Sequence, residues 1–591
     1  MPNTMFNKKY SSYVYLFLIF SFCALSYSNT FKAPFVFDDE RNIVNNAHIQ
    51  SFENLLTASK KEKTHKTLYD LETMMNSRIV AYISFFINYK FHGLNVIGYH
   101  ILNLLIHLMC ILFYYKTLSL IFETNTKFHD FKAQDEKAKK IVFLSALLFA
   151  LHPVQTMSVT YIIQRMTSLA ALFFILSFFA YIKSRNSKEK YLKFLYYFAS
   201  LVFAILAMKT KEISFFLPMV ILLYEFIFIR DSLRNRVKYI VPIFLTLFII
   251  PFSMINLEGS FNEIFSNINQ ATRLDDTGLS RENYLFTQFR VIITYLRLFF
   301  LPINQNIDYD YPIFRNFFHP DVFISFLFLS ALFFSVSYAL YISFKTKDKH
   351  KSFYLKLISF GFYWFVLTLS VESSIFPIKD VIFEHRLYLP SMGFFFCFSS
   401  LLFYLYFSNK NKNYAKQFNI LFASLLIMLS LLTFIRNNTW SSGVSLWLDA
   451  AQKSPQKARP LCNLGALYQK EGNKKKALDA WLSAYNIDVN HLETLNNLGA
   501  LYLSEKQFPK AEFFLQKSHS LSPKHISTLI NLGILYEEAG SSISIFYFRL
   551  ALDNAVLSHK HLISGLKNKI LNLEKKYSTE ENTKGTLKTG R

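Results

Sequence analysis

The chain has 591 residues, 52% of them hydrophobic, with 66 Phe and 35 Tyr, and its mean hydropathy is +0.22. These values exclude an ordinary soluble globular protein and read as a polytopic membrane protein. The formal charge of +24 lies mostly in short clusters between apolar runs, so no nucleic-acid partner is expected.

Apolar runs long enough to cross a bilayer as a helix, roughly 17–25 residues, lie near 11–28, 97–119, 141–160, 163–182, 191–208, 213–229, 238–255, 321–344, 352–371, 389–408 and 417–435. That makes about eleven spans. Basic clusters separate them: Lys8 with Lys9, then 127–140, 183–190, 230–238, 345–351 and 410–416. With the chain starting in the cytoplasm, every cluster falls inside, as the positive-inside bias requires. The small residues of "ALSYSN" after the first run also fit a cleaved signal peptide. A retained anchor is expected instead, because cleavage reverses all later spans against the charge rule. The stretch 288–302, "QFRVIITYLRLFFLP", is short and carries Arg290 and Arg297, which predicts an interfacial helix on the outer surface. Cys23, Cys110, Cys397 and Cys462 show no paired spacing; neither a disulfide framework nor a zinc site is implied.

From about residue 440 the composition changes. "NLGALY" at 463–468, "NLGALY" at 497–502 and "NLGILY" at 531–536 recur every 34 residues, the period of a tetratricopeptide repeat (TPR). Small and aromatic positions agree in register: Leu464, Gly465, Tyr468, Ala477, Trp481 and Ala484, then Leu498, Gly499, Tyr502, Ala511 and Pro523. In the third repeat the second helix, "SSISIFYFRLAL", slips by a residue. Trp447, Ala450 and Pro455 fit a preceding half repeat, and a helix over 560–575 is expected to cap the array. The expected fold is all-α: a membrane helix bundle over 1–438, a TPR α-solenoid over 439–575 and a disordered tail over 576–591.

With this topology the polar residues that interrupt the spans fall on one side. Asp38 and Asp39, within "FVFDDERNIVNN", follow the first span. His100, Asn103 and His107 begin the second; His152, Gln155, Gln164 and Arg165 flank a later turn; Lys211 and Glu212 mark another. "DYDYP" at 308–312 and "ESSIFPIKDVIFEHRLYLPS" at 372–391 complete the set. Charge at a membrane boundary is costly unless paired or used, so this clustering predicts an outward-opening aqueous cavity. A transporter instead carries such groups near the midplane. Each motif also has an inert reading. Two adjacent acids are most often a solvated loop, the His–Asn–His face suits helix-to-helix hydrogen bonds, and Lys211 with Glu212 suits a self-neutralising pair. Glu384, His385 and Arg386 are pressed against an apolar span, where Arg holds phosphate bidentately; a structural ion pair fits equally well.

In order, "FVFDDERNIVNN", "GYHILNLLIH", "ALHPVQTMSVTYIIQR", "AMKTKEISFFLP", "YLRLFFLPINQNIDYDYP", "ESSIFPIKDVIFEHRLYLP" and "RNNTW" resemble the TMTC-type proteins, membrane O-mannosyltransferases of the GT-C glycosyltransferase superfamily with C-terminal TPRs. The likeness runs over nearly the whole chain. Two departures stand out: Met157 occupies the position after the His-Pro motif where the family commonly has an acid, and the repeat array is shorter than in animal members.

The resemblance implies a sugar, mannose or another hexose, taken from a polyprenyl-phosphate donor and transferred with inversion to Ser or Thr of exported proteins on the extracytoplasmic side. It implies Asp38, or else Asp39, as general base. Arg386, Arg165, His385 and Lys211 are then the candidates for the donor phosphate, with Glu384, His152, His100 and Glu212 in support. Two carboxylates can hold a divalent metal, but the superfamily's protein O-mannosyltransferases are generally held not to need one, and no cofactor is expected. The TPR groove suits an acceptor peptide. Two alternatives stay open: a lipid or surface-polysaccharide acceptor, and a non-catalytic TPR scaffold for surface assembly. The short array and Lys-, Asn- and Phe-rich sequence suggest a bacterial inner membrane with the TPRs in the periplasm, or the endoplasmic reticulum membrane in a eukaryote.

Overall fold

The computed structural model describes residues 3–55, 71–129, 135–254, 279–405, 414–555 and 560–588, and no strand occurs among them. Two compact units form, Met1–Ile307 with Tyr311–Ser441, and Asp308–Asp310 with Ser442–Arg591.

The main helices of the first unit are α1 (Asn3–Ser26), α2 (Ile79–His92), α3 (Val96–His129), α4 (Asp135–Leu151), α5 (Arg165–Asn186), α6 (Lys190–Met208), α7 (Leu217–Phe228), α8 (Leu233–Leu245), α9 (Arg281–Phe300), α10 (Pro320–Lys345), α11 (Lys349–Leu369), α12 (Tyr388–Leu405) and α13 (Tyr414–Asn438). Among the described residues eight helical stretches are long and apolar enough to cross a membrane, and nine if the bent pair Lys137–Leu151 and Pro153–Val159 is one span. The expected count of about eleven also includes the runs near 11–28 and 213–229. The first lies within the 24-residue α1, and the second is the 12 residues of α7, preceded by the 3-10 turn Glu212–Phe216. The helix α9, with Arg290 and Arg297, is not among the eight.

Local chemistry sets the breaks. The bent pair turns by 51° where Pro153 lacks an N–H and its ring drives His152 out of the helical region, to ψ 131°. The freed Val154 N–H is taken by His152 Nδ1 at 3.2 Å. Ser280 caps α9 and Asp348 caps α11 through their side-chain oxygens.

Burial separates inner from outer helices. The stretches containing α5 and α11 are each 78% buried, whereas those of α6, α8 and α10 are 22%, 22% and 17% buried and keep exposed Phe and Tyr for lipid. Trp364 of α11 packs against Phe174 and Phe178 of α5. At the crossing of α11 and α12 the backbones touch: a Cβ on Gly361 would lie 2.6 Å from Cys397 N, and one on Gly393 would lie 2.6 Å from Gly361 O. Small residues permit this approach where no hydrophobic force drives helices together.

The second unit stacks α14 (Gly443–Lys453), α15 (Ala458–Lys470), α16 (Lys474–Ile487), α17 (Leu492–Ser504), α18 (Phe508–Leu521), α19 (Ile526–Glu538), α20 (Ile543–Asn554) and α21 (Lys560–Lys588). In each pair the first helix's Gly admits a large side chain of the second: Gly465 meets Trp481, Gly499 meets Leu515 and Gly533 meets Phe548. The offsets of 16, 16 and 15 residues locate the one-residue slip of the third repeat. Helix α21 continues past 576, so the stretch to 588, expected to be disordered, is helical; it is rich in Lys and Glu, which favour helix. Residues 589–591 lie outside the described residues. Asp308 is buried here, its carboxylate taking both Arg459 and Lys457, and its carbonyl accepts from Ser454 Oγ at 2.7 Å.

Candidate active site

The loop after α1 makes a sharp turn. Phe37 has φ +52°, a region that costs a bulky residue about 1–3 kcal/mol. Asp39 holds the turn from inside: it is fully buried, Oδ2 accepts from Val36 N–H at 3.0 Å and Oδ1 from Ile163 N–H at 2.7 Å. Burial pushes its carboxyl well above the usual carboxylate range, against these two donors and the Arg165 charge. Asp38 faces the other way and is exposed. Its N–H donates to Tyr161 Oη at 2.9 Å and its carbonyl accepts from Asn42 Nδ2 at 2.9 Å. Burial and the two carboxylates keep the Tyr161 phenol protonated, and its ring lies 5.5 Å from that of Trp440. His100 Nε2, at 2.8 Å from Ala33 O, ties the loop's start to α3.

A cationic cluster stands beside this loop. Arg78, just before α2, forms a forked pair with Glu212, Nε at 3.0 and 3.1 Å from the two oxygens and Nη2 at 2.9 Å. Lys211 Nζ donates to Thr167 Oγ1 at 2.8 Å and lies 3.6 Å from Glu372 Oε1. The same oxygen is 4.0 Å from Arg386 Nε. Arg386 is buried, and its two terminal nitrogens donate to Val381 O and Asp380 O. Three cations, Arg78, Lys211 and Arg386, thus face the carboxylates of Glu212 and Glu372. Burial, with Arg78 and Arg386 adding to it, lowers the Lys211 pKa. Tyr82 bridges to the acid loop: its hydroxyl donates to Asn42 Oδ1 at 2.8 Å and sits in the fields of Arg78, Arg41, Asp38 and Glu212.

An exposed carboxylate beside a preorganised cationic group is the layout that activates a hydroxyl on one side and receives an anionic leaving group on the other. Among the described residues no three His, Cys, Asp or Glu side chains converge on a metal position.

No family model matches the chain. A protein O-mannosyl-transferase of Caenorhabditis elegans is 25% identical over 467 residues, 78% of this chain and 61% of its own length. Protein O-mannosyl-transferase Tmtc3 of Drosophila melanogaster is 23% identical, covering 77% and 53%; TMTC3 of Mus musculus is 24% identical, covering 78% and 50%. The chain is a homologue of the TMTC-type protein O-mannosyl-transferases. It spans about half to three-fifths of the length of these TMTC-type relatives.

The fold brings Asp38, Lys211, Glu212, His385 and Arg386 to one end of the bundle and uses other candidates as supports. Arg165, fully buried, donates to Asn103, Asn88, Ser84 O and Tyr99 O and lies 4.7 Å over the Phe85 ring. Four of its five N–H groups are thereby engaged within the bundle. His152 caps the Pro153 turn and bonds Phe299 O. Glu384 accepts from Gln305 Nε2 and Asn306 N–H, both at 2.7 Å. Lys211 and Glu212 do not neutralise each other: each has its own long-range partner, Glu372 and Arg78. The sequence reasoning missed Arg78 and Tyr82, and took in Tyr161 and Glu372 only as members of quoted stretches, without a role. The legible signal was an Arg at the head of an apolar stretch.

Proposed function

We propose that the protein is a membrane glycosyltransferase that moves a hexose from a polyprenyl-phosphate donor to Ser or Thr hydroxyls of exported proteins on the extracytoplasmic side. The Asp38 carboxylate takes the acceptor's hydroxyl proton while that oxygen attacks the anomeric carbon. The bond from that carbon to the phosphate oxygen breaks, and the polyprenyl phosphate leaves with the electron pair. Displacement from the opposite face inverts the centre. Lys211 and Arg386 receive the charge that grows on the leaving phosphate. Asp39 positions Asp38, and Arg165 braces the helices behind the site. The solenoid holds the acceptor polypeptide.

The observation that carries this reading is the placement of exposed Asp38 across Asn42 and Tyr82 from the Arg78, Lys211 and Arg386 cluster. The names of the homologues support the reaction class and the protein acceptor. Glycoproteomics of exported proteins from cells carrying wild-type or Asp38→Asn protein at matched expression tests it. Loss of hexose from Ser or Thr peptides is expected; an unchanged protein glycome overturns the protein acceptor. Deletion of 455–575 is expected to reduce the same modification, and no change removes the role given to the solenoid.

A further inference from the structure

The end of the bundle away from Asp38 carries a charge cluster of its own. Helix α7 leaves the turn that holds Lys211 and Glu212 and ends just before Arg230, and α11 starts at that far end, at Lys349, and runs back toward Glu372. Lys356 lies about two turns into α11 and about 20 Å of helix short of Leu369. It is only 5% exposed. Its Nζ sits 5.2 Å over the ring of Phe344 on α10, the least buried of the spans, and that ring is itself 55% exposed. Among the described residues no hydrogen bond or ion pair takes this ammonium. The charged side chain whose field reaches it is another cation, Arg230, exposed at the end of α7. Arg236 adjoins them: its Nη2 donates to Ile229 O at 2.5 Å, while its buried Nε has no partner.

Acids stand at this junction, but they are committed elsewhere. Arg185 takes Glu225 Oε1 through Nε at 2.7 Å and Asp231 Oδ2 through Nη2 at 2.8 Å. Tyr181 Oη donates to the same Glu225 oxygen at 2.8 Å. Lys356, Arg230 and Arg236 are left without a carboxylate among the described residues. A lysine that merely snorkels keeps its head in water; Lys356 instead lies beneath an aromatic ring at a lipid-facing edge. An ionisable group inside a span is costly unless it is paired or used.

We infer that Lys356 and Arg230, with Arg236 beside them, bind the phosphate of an anionic phospholipid in the leaflet at this end of the bundle, opposite to Asp38. The exposed rings of Phe344 and Phe226 offer its acyl chains an apolar bed, which a phosphate free in water does not use. The site stands apart from the proposed transfer, and its test measures none.

The test uses full-length protein in nanodiscs of phosphatidylcholine mixed with phosphatidylglycerol, released in the mass spectrometer with its lipids bound. The wild type is expected to retain phosphatidylglycerol in preference to phosphatidylcholine. Lys356→Met, which keeps an apolar stem, and Arg230→Gln are each expected to weaken that retention about fivefold, and about thirtyfold together. Arg230 is exposed, so its variant carries the test if Lys356→Met fails to fold. Lys347→Gln removes an exposed charge from the turn between α10 and α11 and is expected to change nothing. Equal retention of the two lipids by the wild type, a loss in Lys347→Gln as large as in Arg230→Gln, undiminished retention in the folded variants, or displacement of the lipid by inorganic phosphate overturns the inference.

Discussion

Asp39→Ala separates the acid that reacts from the acid that positions. In the wild type Asp39 supplies two acceptors to buried N–H groups, those of Val36 and Ile163, and its removal leaves each donor unsatisfied at about 1–3 kcal/mol. Together, about 2–6 kcal/mol, they offset the cost of Phe37 at φ +52°, about 1–3 kcal/mol. Without them the turn relaxes and Phe37 returns to an extended conformation. The bonds of Asp38 to Tyr161 and Asn42 are then too weak to hold the loop alone. Taking about 2 kcal/mol for the released strain, the fraction of loops presenting Asp38 falls about thirtyfold, and kcat with it. The reacting carboxylate is still there, so the pH profile keeps its shape. Adding Phe37→Gly, which makes the left-handed turn free of strain, restores much of the loss. The assay is transfer from a polyprenyl-phosphate hexose to a Ser/Thr peptide, with single and double variants in nanodiscs. Wild-type kcat in Asp39→Ala, or a double variant no better than the single, refutes the positioning role.

Lys211 carries a lowered pKa, so its charge is lost at a lower pH than for an ordinary lysine, and donor KM is expected to rise as pH increases through that lowered value. Lys211→Arg keeps the cation and is expected to remove this alkaline rise, read from donor KM against pH. Gly393→Val forces a Cβ into Gly361 O and Phe365 N, each 2.6 Å away; a loss of about 1–3 kcal/mol or more is expected as a lower thermal midpoint in detergent, with kcat per folded molecule retained. Asp308→Asn leaves Lys457 and Arg459 without their shared carboxylate. Because those cations are 27% and 20% exposed, the loss is about 1–2 kcal/mol, below the 3–5 of a fully buried pair, and appears as faster hydrogen exchange in α15.

Much of the architecture was legible because it rests on periodic patterns. The apolar runs located the long helices, and the 34-residue period placed Gly465, Gly499 and Gly533 at helix contacts. Span length was less legible, since Glu212–Phe216 winds as a 3-10 turn and α7 starts only at Leu217, with Pro218 in its first turn. The site shows the same division. Both Asp residues stood out, but which of them is buried depends on Ile163 N–H, a contact no local pattern announces. Arg165 looked like an anion receptor by type; its commitment to Asn88 and Asn103 arises only once α2 and α3 pack beside it.

The most direct measurement of the central claim is initial-rate transfer by purified full-length protein and its Asp38→Asn variant, with polyprenyl-phosphate mannose and a Ser/Thr acceptor peptide. Loss of the general base predicts a rate roughly 10²- to 10⁴-fold lower with donor binding intact. A variant that transfers at the wild-type rate contradicts the account.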